Sequence, residues 1–251
     1  MSKESRTIIV MPAHNEAGNI ERVIAELRQA VQGLDFVVID DYSSDDTAAV
    51  AERMGAEVVR LPCNLGYGGA VQTGFRYAVQ RGYDYAVMMD SDGQHDPRSV
   101  PALLEVVESR EADVALGSRF LGRMEYQSSW VRRVGMSIFS HLVSVATGRH
   151  FTDATSGLQA LNREVLEFFS RDNYPVDFPD ADTIILLHYA GFRVKEVPVT
   201  MRERISGESM HASLKPIYYV FKMALAIFIV MLRQRTHVNA VRPDTARHER
   251  G

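Results

Sequence analysis

The sequence predicts an α/β fold, a doubly wound and mostly parallel sheet flanked by helices, and three observations predict it. Strand-like and helix-like segments alternate as β-α-β-α-β-α-β over about the first 90 residues, which implies right-handed crossovers between parallel strands. The strand segments are continuous apolar runs rather than alternating ones, as expected where helices cover both faces of a sheet. Three of the runs end in polar or acidic loops, at Asn15-Glu16, Asp40-Asp41 and Asp90-Ser91-Asp92. Sheets of this kind bind ligands beyond the carboxyl ends of their strands.

The elements follow in order. Thr7–Met11 is a β-branched run and reads as a strand; the loop Pro12–Glu16 follows it. Ile20, Val23, Ile24 and Leu27 fall at helical spacing and predict a helix over Asn19–Gln32. Phe36–Ile39 is the second strand, and Ser43–Thr47 offers N-cap chemistry to a helix over Ala48–Met54. Glu57–Leu61 is the third strand. The Gly-rich turn Asn64–Gly69 leads into a helix over Ala70–Arg81, and Tyr85–Met89 is the fourth strand.

The second half has a different texture. A helix is expected over Pro101–Ser109 and a short strand over Val114–Leu116, running out into Gly117-Ser118-Arg119. Gln127–Gly148 is a long amphipathic stretch that carries the sole tryptophan, Trp130, beside Arg132 and Arg133. The loop Asp153–Gly157 precedes a strand-like Leu158–Leu161, and Val165–Phe169 is helical. Asp180 and Asp182 open a helix over Thr183–Ala190, which Gly191 stops. Val194–Met201 is a strand, followed by the polar loop Arg204–His211. No repeat or linker divides residues 1–212, which therefore read as one domain.

Composition narrows the function. A net charge of −4 supplies no basic field for nucleic acid. One cysteine, Cys63, excludes an intrachain disulfide framework and a Cys-rich zinc site. Met1–Arg6 is polar, without a signal-peptide pattern, and predicts a cytosolic location. Residues 213–235 form an apolar segment with cationic ends, shorter at its core than a bilayer span. It reads either as a buried helix or as an interfacial one. Residues 236–251 are polar and charged and predict a disordered tail.

The chemistry centres on Asp90-Ser91-Asp92-Gly93-Gln94. Residues i and i+2 of an extended chain point the same way, so Asp90 and Asp92 present both carboxylates to one side. Two carboxylates and the Gln94 amide suit a hard divalent cation that keeps positions open for phosphate oxygens. Taken alone, an Asp-x-Asp is better explained by a solvated acidic turn after a core strand.

Several motifs in fixed order add to this reading: Pro12-Ala13-His14-Asn15-Glu16, Asp40-Asp41-x-Ser43-x-Asp45-x-Thr47, Asn64-x-Gly66 with Gly69, and Asp90-x-Asp92-x-Gln94-His95. Gly117-Ser118-Arg119, Asp153-x-x-Ser156-Gly157, Glu196-Val197-Pro198-Val199 and Arg204-x-x-Gly207-x-Ser209 follow. Together they resemble family 2 inverting glycosyltransferases of the GT-A fold, in the branch of dolichol- and polyprenol-phosphate sugar synthases. The resemblance covers about Thr7 to His211. Tyr67 and Met210 stand where many members carry lysine, which leaves the details of donor binding open.

The resemblance implies a donor site of Pro12, Ala13, Asn15, Glu16, Asp41, Asn64, Gly69, Asp90 and Ser91, with Arg204 and Ser209 closing over the diphosphate. The glycines near residue 69 suit either phosphate approach or packing. Asp90, Asp92 and Gln94 are implied as ligands of Mg²⁺ or Mn²⁺, with Asp92, Asp180 and Asp182 as catalytic residues. Arg119, Arg132 and Arg133 are implied on the acceptor side, where a guanidinium fork matches a phosphate. The implied reaction moves a sugar from a GDP-, UDP- or dTDP-linked donor to a polyprenyl phosphate. It would take place at the cytoplasmic face of a membrane, with room for a small membrane protein as partner. Two alternatives stand beside it: transfer to a hydroxyl of a lipid-linked or cell-surface glycan, and a nucleotidyltransferase or non-catalytic nucleotide-sugar binding module. Pro12–Glu16 lacks the Gly-rich, basic opening loop that a nucleotidyltransferase calls for.

Overall fold

The computed structural model describes residues 5–124, 130–171, 174–175 and 181–202, without the side chains of 123, 124 and 130–135. Its elements are β1 (Thr7–Ala13), α1 (Ala17–Ala30), β2 (Asp35–Asp40), α2 (Thr47–Arg53), β3 (Glu57–Arg60), α3 (Gly66–Gln80) and β4 (Tyr85–Met88). A single 3₁₀ turn (Pro97–Ser99) then leads to α4 (Val100–Glu108), β5 (Val114–Met124) and α5 (Trp130–Thr147). β6 (Gln159–Asn162), α6 (Arg163–Phe169), α7 (Ala181–Tyr189) and β7 (Val194–Met201) complete it.

The sheet has seven strands in the order β3-β2-β1-β4-β6-β5-β7. β1 is buried along its whole length and pairs in parallel with β2 and β4, and β3 extends the parallel half. Among the described strands, β6 departs from parallel pairing and runs antiparallel to β4 on one side and β5 on the other. β5 and β7 pair in parallel. The chain leaves the carboxyl end of β5, makes α5 there and returns directly down β6 without a crossover. That return places the loop Asp153–Gly157 at the same edge of the sheet as the carboxyl end of β4.

Both faces are covered, which explains the unbroken apolar strands. Ile9, Met11, Val38 and Val87 pack against Ile20, Ile24 and Leu27 of α1 and Leu103 of α4. Ile8, Val10, Val37 and Ile39 pack against Phe75 of α3 and Phe169 of α6. A side chain at Gly74 would put its Cβ 2.1 Å from Val10 Cγ1, so glycine lets α3 lie close on β1. A smaller cluster joins Leu116, Phe139, Val143, Ile184 and Ile185, tying α5 and α7 to the sheet.

Two elements differ from their expected extents. β5 is eleven residues long, so Gly117-Ser118-Arg119 lies within the strand rather than after it. Pairing with β7, through a register shift between Ser118 and Arg123, carries it on. α3 starts at Gly66 instead of Ala70, because the Asp41 carboxylate accepts a hydrogen bond from Leu65 N–H (2.6 Å) and satisfies a donor at the helix start. Among the described residues no helix is long and apolar enough to cross a membrane. The expected segments 213–235 and 236–251 lie outside the described residues.

Candidate active site

The carboxyl ends of β1, β2 and β4 carry three loops that brace one another. Asn15 has a left-handed backbone (φ 57°). Its N–H donates to Ser43 Oγ (3.0 Å), and its Oδ1 accepts from Ser44 N–H (2.8 Å). Glu16 N–H donates to Thr47 Oγ1 (2.8 Å), and the buried Glu16 carboxylate accepts from Asn19 Nδ2 (2.6 Å). Asp45 accepts from Ala17 N–H (3.1 Å), Thr47 N–H (3.0 Å) and the Thr47 hydroxyl. Burial alone would raise the Asp45 pKa, but these hydrogen bonds more than offset it and hold it below the usual carboxylate range. The expected capping stretch Ser43–Thr47 thus ties α2 to the opening loop. The residue at the start of α2, Asp46, makes no side-chain cap bond of its own.

Asp41 forms the inner wall of this end. It is 3% exposed, and burial pushes its pKa up, partly countered by the N–H groups of Leu65 and Gly66. Its carbonyl lies 2.8 Å from His14 Nδ1. Asn64 Oδ1 accepts from Gly66 N–H (3.0 Å), which places that side chain in the turn before α3. Gly69 lies in the first turns of α3, where a Cβ would come within 2.6 Å of Leu65 Cβ. Pro12 and Ala13 end β1, and the buried Ser91 donates its hydroxyl to Pro12 O (2.8 Å), fastening the loop after β4 to β1.

The Asp90–Gln94 loop is held from several sides. The Tyr67 hydroxyl, from α3, donates to Asp90 Oδ1 (2.8 Å). Asp90 N–H donates to Nδ1 of the buried His95 (3.3 Å). This makes Nε2 the protonated nitrogen, and it is buried without a hydrogen-bond partner among the described residues. Gly157 lies directly against Asp90: a Cβ there would sit 2.6 Å from Asp90 Oδ2. Asp92 Oδ1 accepts from Gln94 N–H (2.9 Å). Gln94 O accepts from Arg202 N–H (2.8 Å) at the end of β7. Arg202 also pairs with Asp96 (3.1 Å) and Glu26 (2.5 Å). Burial would raise the Asp96 pKa; hydrogen bonds from Arg98 and the charges of Arg202 and Arg98 leave it lowered.

Two carboxylates and an amide oxygen on one short loop are hard oxygen donors that fit Mg²⁺ or Mn²⁺. Among the described residues no group of three His, Cys, Asp or Glu side chains could hold an ion.

On the other side of the site, Arg119 is buried, and its guanidinium reaches the fully buried Asp153 through Nε and Nη2 (both 2.6 Å). Nη2 also donates to Thr155 O (3.1 Å) and Oγ1 (2.6 Å). The residue expected on the acceptor side is thus held at one edge of its guanidinium by a buried carboxylate. Glu196 accepts from Thr152 N–H, the Thr152 hydroxyl and Asp153 N–H (2.7–3.0 Å). The motif residues of β5, β7 and the 153–157 loop thus form one network that ends at the Gly157 wall of Asp90. Asp182 is buried in the first turn of α7, its Oδ1 accepting from Thr183 N–H (2.9 Å). Arg132 and Arg133 lie in the first turn of α5. Asp180, Arg204 and Ser209 lie outside the described residues.

Sequence reasoning did not find Tyr67 as a partner of Asp90, Gly157 as its wall, or the Asp96–Arg202 pair. Gly157 and Tyr67 sit in or beside quoted motifs, which was the available signal. The Asp96–Arg202 pair joins residues more than 100 positions apart and leaves no local trace.

The description of glycosyl transferase family 2 matches residues 8–169. The chain belongs to that family. This glycosyltransferase is 32% identical over 232 residues to the polyprenol monophosphomannose synthase of Mycolicibacterium smegmatis, covering 87% of this chain and 86% of the relative. It is 33% identical over 218 residues to the undecaprenyl-phosphate mannosyltransferase of Micrococcus luteus, covering 81% and 86% respectively. Among solved structures, glucosyl-3-phosphoglycerate synthase from Mycobacterium tuberculosis, in complex with Mn²⁺ and UDP-glucose, superposes with a TM-score of 0.68 at 21% identity. That match covers 90% of this chain and 78% of the other, and shows a shared GT-A fold.

Proposed function

We propose that this glycosyltransferase moves a sugar from a nucleotide diphosphate sugar to a polyprenyl phosphate, with inversion at the anomeric carbon. The observation that carries the proposal is the Asp90–Gln94 loop, set beside the Asp41 wall, in a chain whose relatives are named for mannosyl transfer to polyprenyl phosphates. Asp90, Asp92 and Gln94 would hold Mg²⁺ or Mn²⁺, which when bound supplies charge neutralisation for the departing diphosphate.

The protein's own groups do the rest. Asp41, with Pro12, Ala13, Asn15 and Glu16 around it, meets the nucleoside, and the braced loops hold this wall rigid before the donor arrives. Arg204 and Ser209 contact the diphosphate. A polyprenyl phosphate already carries an anionic oxygen at neutral pH, so the acceptor side needs guanidinium positioning rather than proton removal. Arg132 and Arg133, at the start of α5, supply it together with Arg119, which Asp153 holds in place. Asp180 and Asp182 position the acceptor. The acceptor lipid places the enzyme peripherally at the cytoplasmic face of a membrane.

Radiolabelled GDP-, UDP- and dTDP-sugars, incubated with the protein, Mn²⁺ and detergent-dispersed undecaprenyl phosphate, test the reading. The expected result is metal-dependent transfer of label into the organic phase. Transfer only to a lipid-linked saccharide, and none to bare polyprenyl phosphate, would replace it with the hydroxyl-acceptor reaction.

A further inference from the structure

We infer that Tyr67 is a positioning residue that sets the strength and orientation of Asp90 as a cation ligand, an inference that rests on the metal role proposed for Asp90. Three observations carry it. The Tyr67 hydroxyl donates to Asp90 Oδ1 at 2.8 Å, so it fixes one oxygen of the carboxylate. The other oxygen faces the Gly157 backbone, where no side chain fits, and lies 3.8 Å from His95 Nδ1. The carboxylate therefore has one place to sit, and no Lys or Arg among the described residues pairs with it. Finally, the Tyr67 ring packs against the core cluster that α3 and β1 share, two residues on from Leu65, whose N–H holds Asp41.

The start of α3 thus grips two of the site's acids, Asp41 through the Leu65 N–H and Asp90 through a phenol. It fixes the distance between the wall assigned to the nucleoside and the loop assigned to the cation. Because the phenol is neutral, the site keeps the full charge of Asp90 for a metal. A cation in place of the phenol would compete with the metal and would attract a diphosphate directly.

The test is Mn²⁺ binding followed by the EPR signal of free Mn²⁺, on wild type, Tyr67→Phe and Tyr67→Lys, with thermal midpoints measured alongside. Partners that orient a metal ligand are typically worth 10–100-fold in affinity. Tyr67→Phe is expected to weaken Mn²⁺ binding by about tenfold with its midpoint within about 4 °C of wild type. Tyr67→Lys is expected to weaken Mn²⁺ further while binding uridine or guanosine diphosphate more tightly than wild type in chelator. If wild type and Tyr67→Phe bind Mn²⁺ equally, the inference falls and the metal site stands. If wild type itself binds no Mn²⁺, with or without the nucleotide, both fall. Should Tyr67→Phe fail to fold, the Tyr67→Lys comparison decides: equal Mn²⁺ and diphosphate affinities in that variant would overturn the inference.

Discussion

Asp41 offers a direct measure of how far the site is built against stability. Its carboxylate is buried at the end of β2 and caps α3 by accepting from Leu65 N–H at 2.6 Å. Two effects oppose each other there. The helix start and its N–H donors favour the anion, the dipole by about 0.3–1 kcal/mol. Loss of water disfavours it, and this is the larger effect, since the pKa is raised from 3.8. A carboxyl whose pKa is raised on folding contributes stability fully below its unfolded value and loses it as pH rises through the folded value. Asp41→Asn keeps an oxygen for Leu65 N–H and removes the charge. It should therefore be at least as stable as wild type at pH 7.5, with an advantage that narrows as pH falls toward 3.8. Asp41→Ala removes the cap and should cost about 1–2 kcal/mol, a fall in Tm of about 2–8 °C. Both variants should bind donor nucleotide more weakly than wild type. Thermal melts from pH 4 to 8 and nucleotide titrations decide it. If Asp41→Asn loses stability relative to wild type as pH rises, the anion is stabilising in this fold and the reasoning is refuted.

Other expectations are simpler. Asp92→Ala should keep its Tm and lose turnover, since Asp92 lies on a loop; activity at the wild-type level in chelator would remove it from the cation site. Asp153→Ala leaves the Arg119 guanidinium buried without its carboxylate and should destabilise by about 3–5 kcal/mol in a urea melt, against under 1 kcal/mol for an exposed pair such as Arg81–Glu57. Gly74→Ala should cost about 1–3 kcal/mol, because its Cβ meets Val10 in the centre of the sheet; a neutral result would mean that α3 can lift away from β1.

Much of the fold was legible because its signals are local. Unbroken apolar runs marked β1, β2 and β4, and helical spacing marked α1, since each strand buried on both faces must be apolar throughout. The acidic ends of β2 and β4 stood out for the same reason: carboxylates directly after core strands are conspicuous. The start of α3 and the length of β5 were not legible, because each is set by a distant partner, Asp41 in one case and β7 in the other.

By itself the sequence determined that a parallel α/β sheet ends in a loop with two carboxylates and an amide, and which family's motifs surround it. Periodicity and chemical type are properties of neighbouring residues, so they survive without coordinates. Only the tertiary structure decided what the motif residues do. It committed Arg119 to Asp153, turned Ser43 and Thr47 into braces for the opening loop, and brought Tyr67 and Gly157 onto Asp90. Those contacts join residues from 23 to more than 60 positions apart, and a buried polar group takes whichever partner the packing delivers.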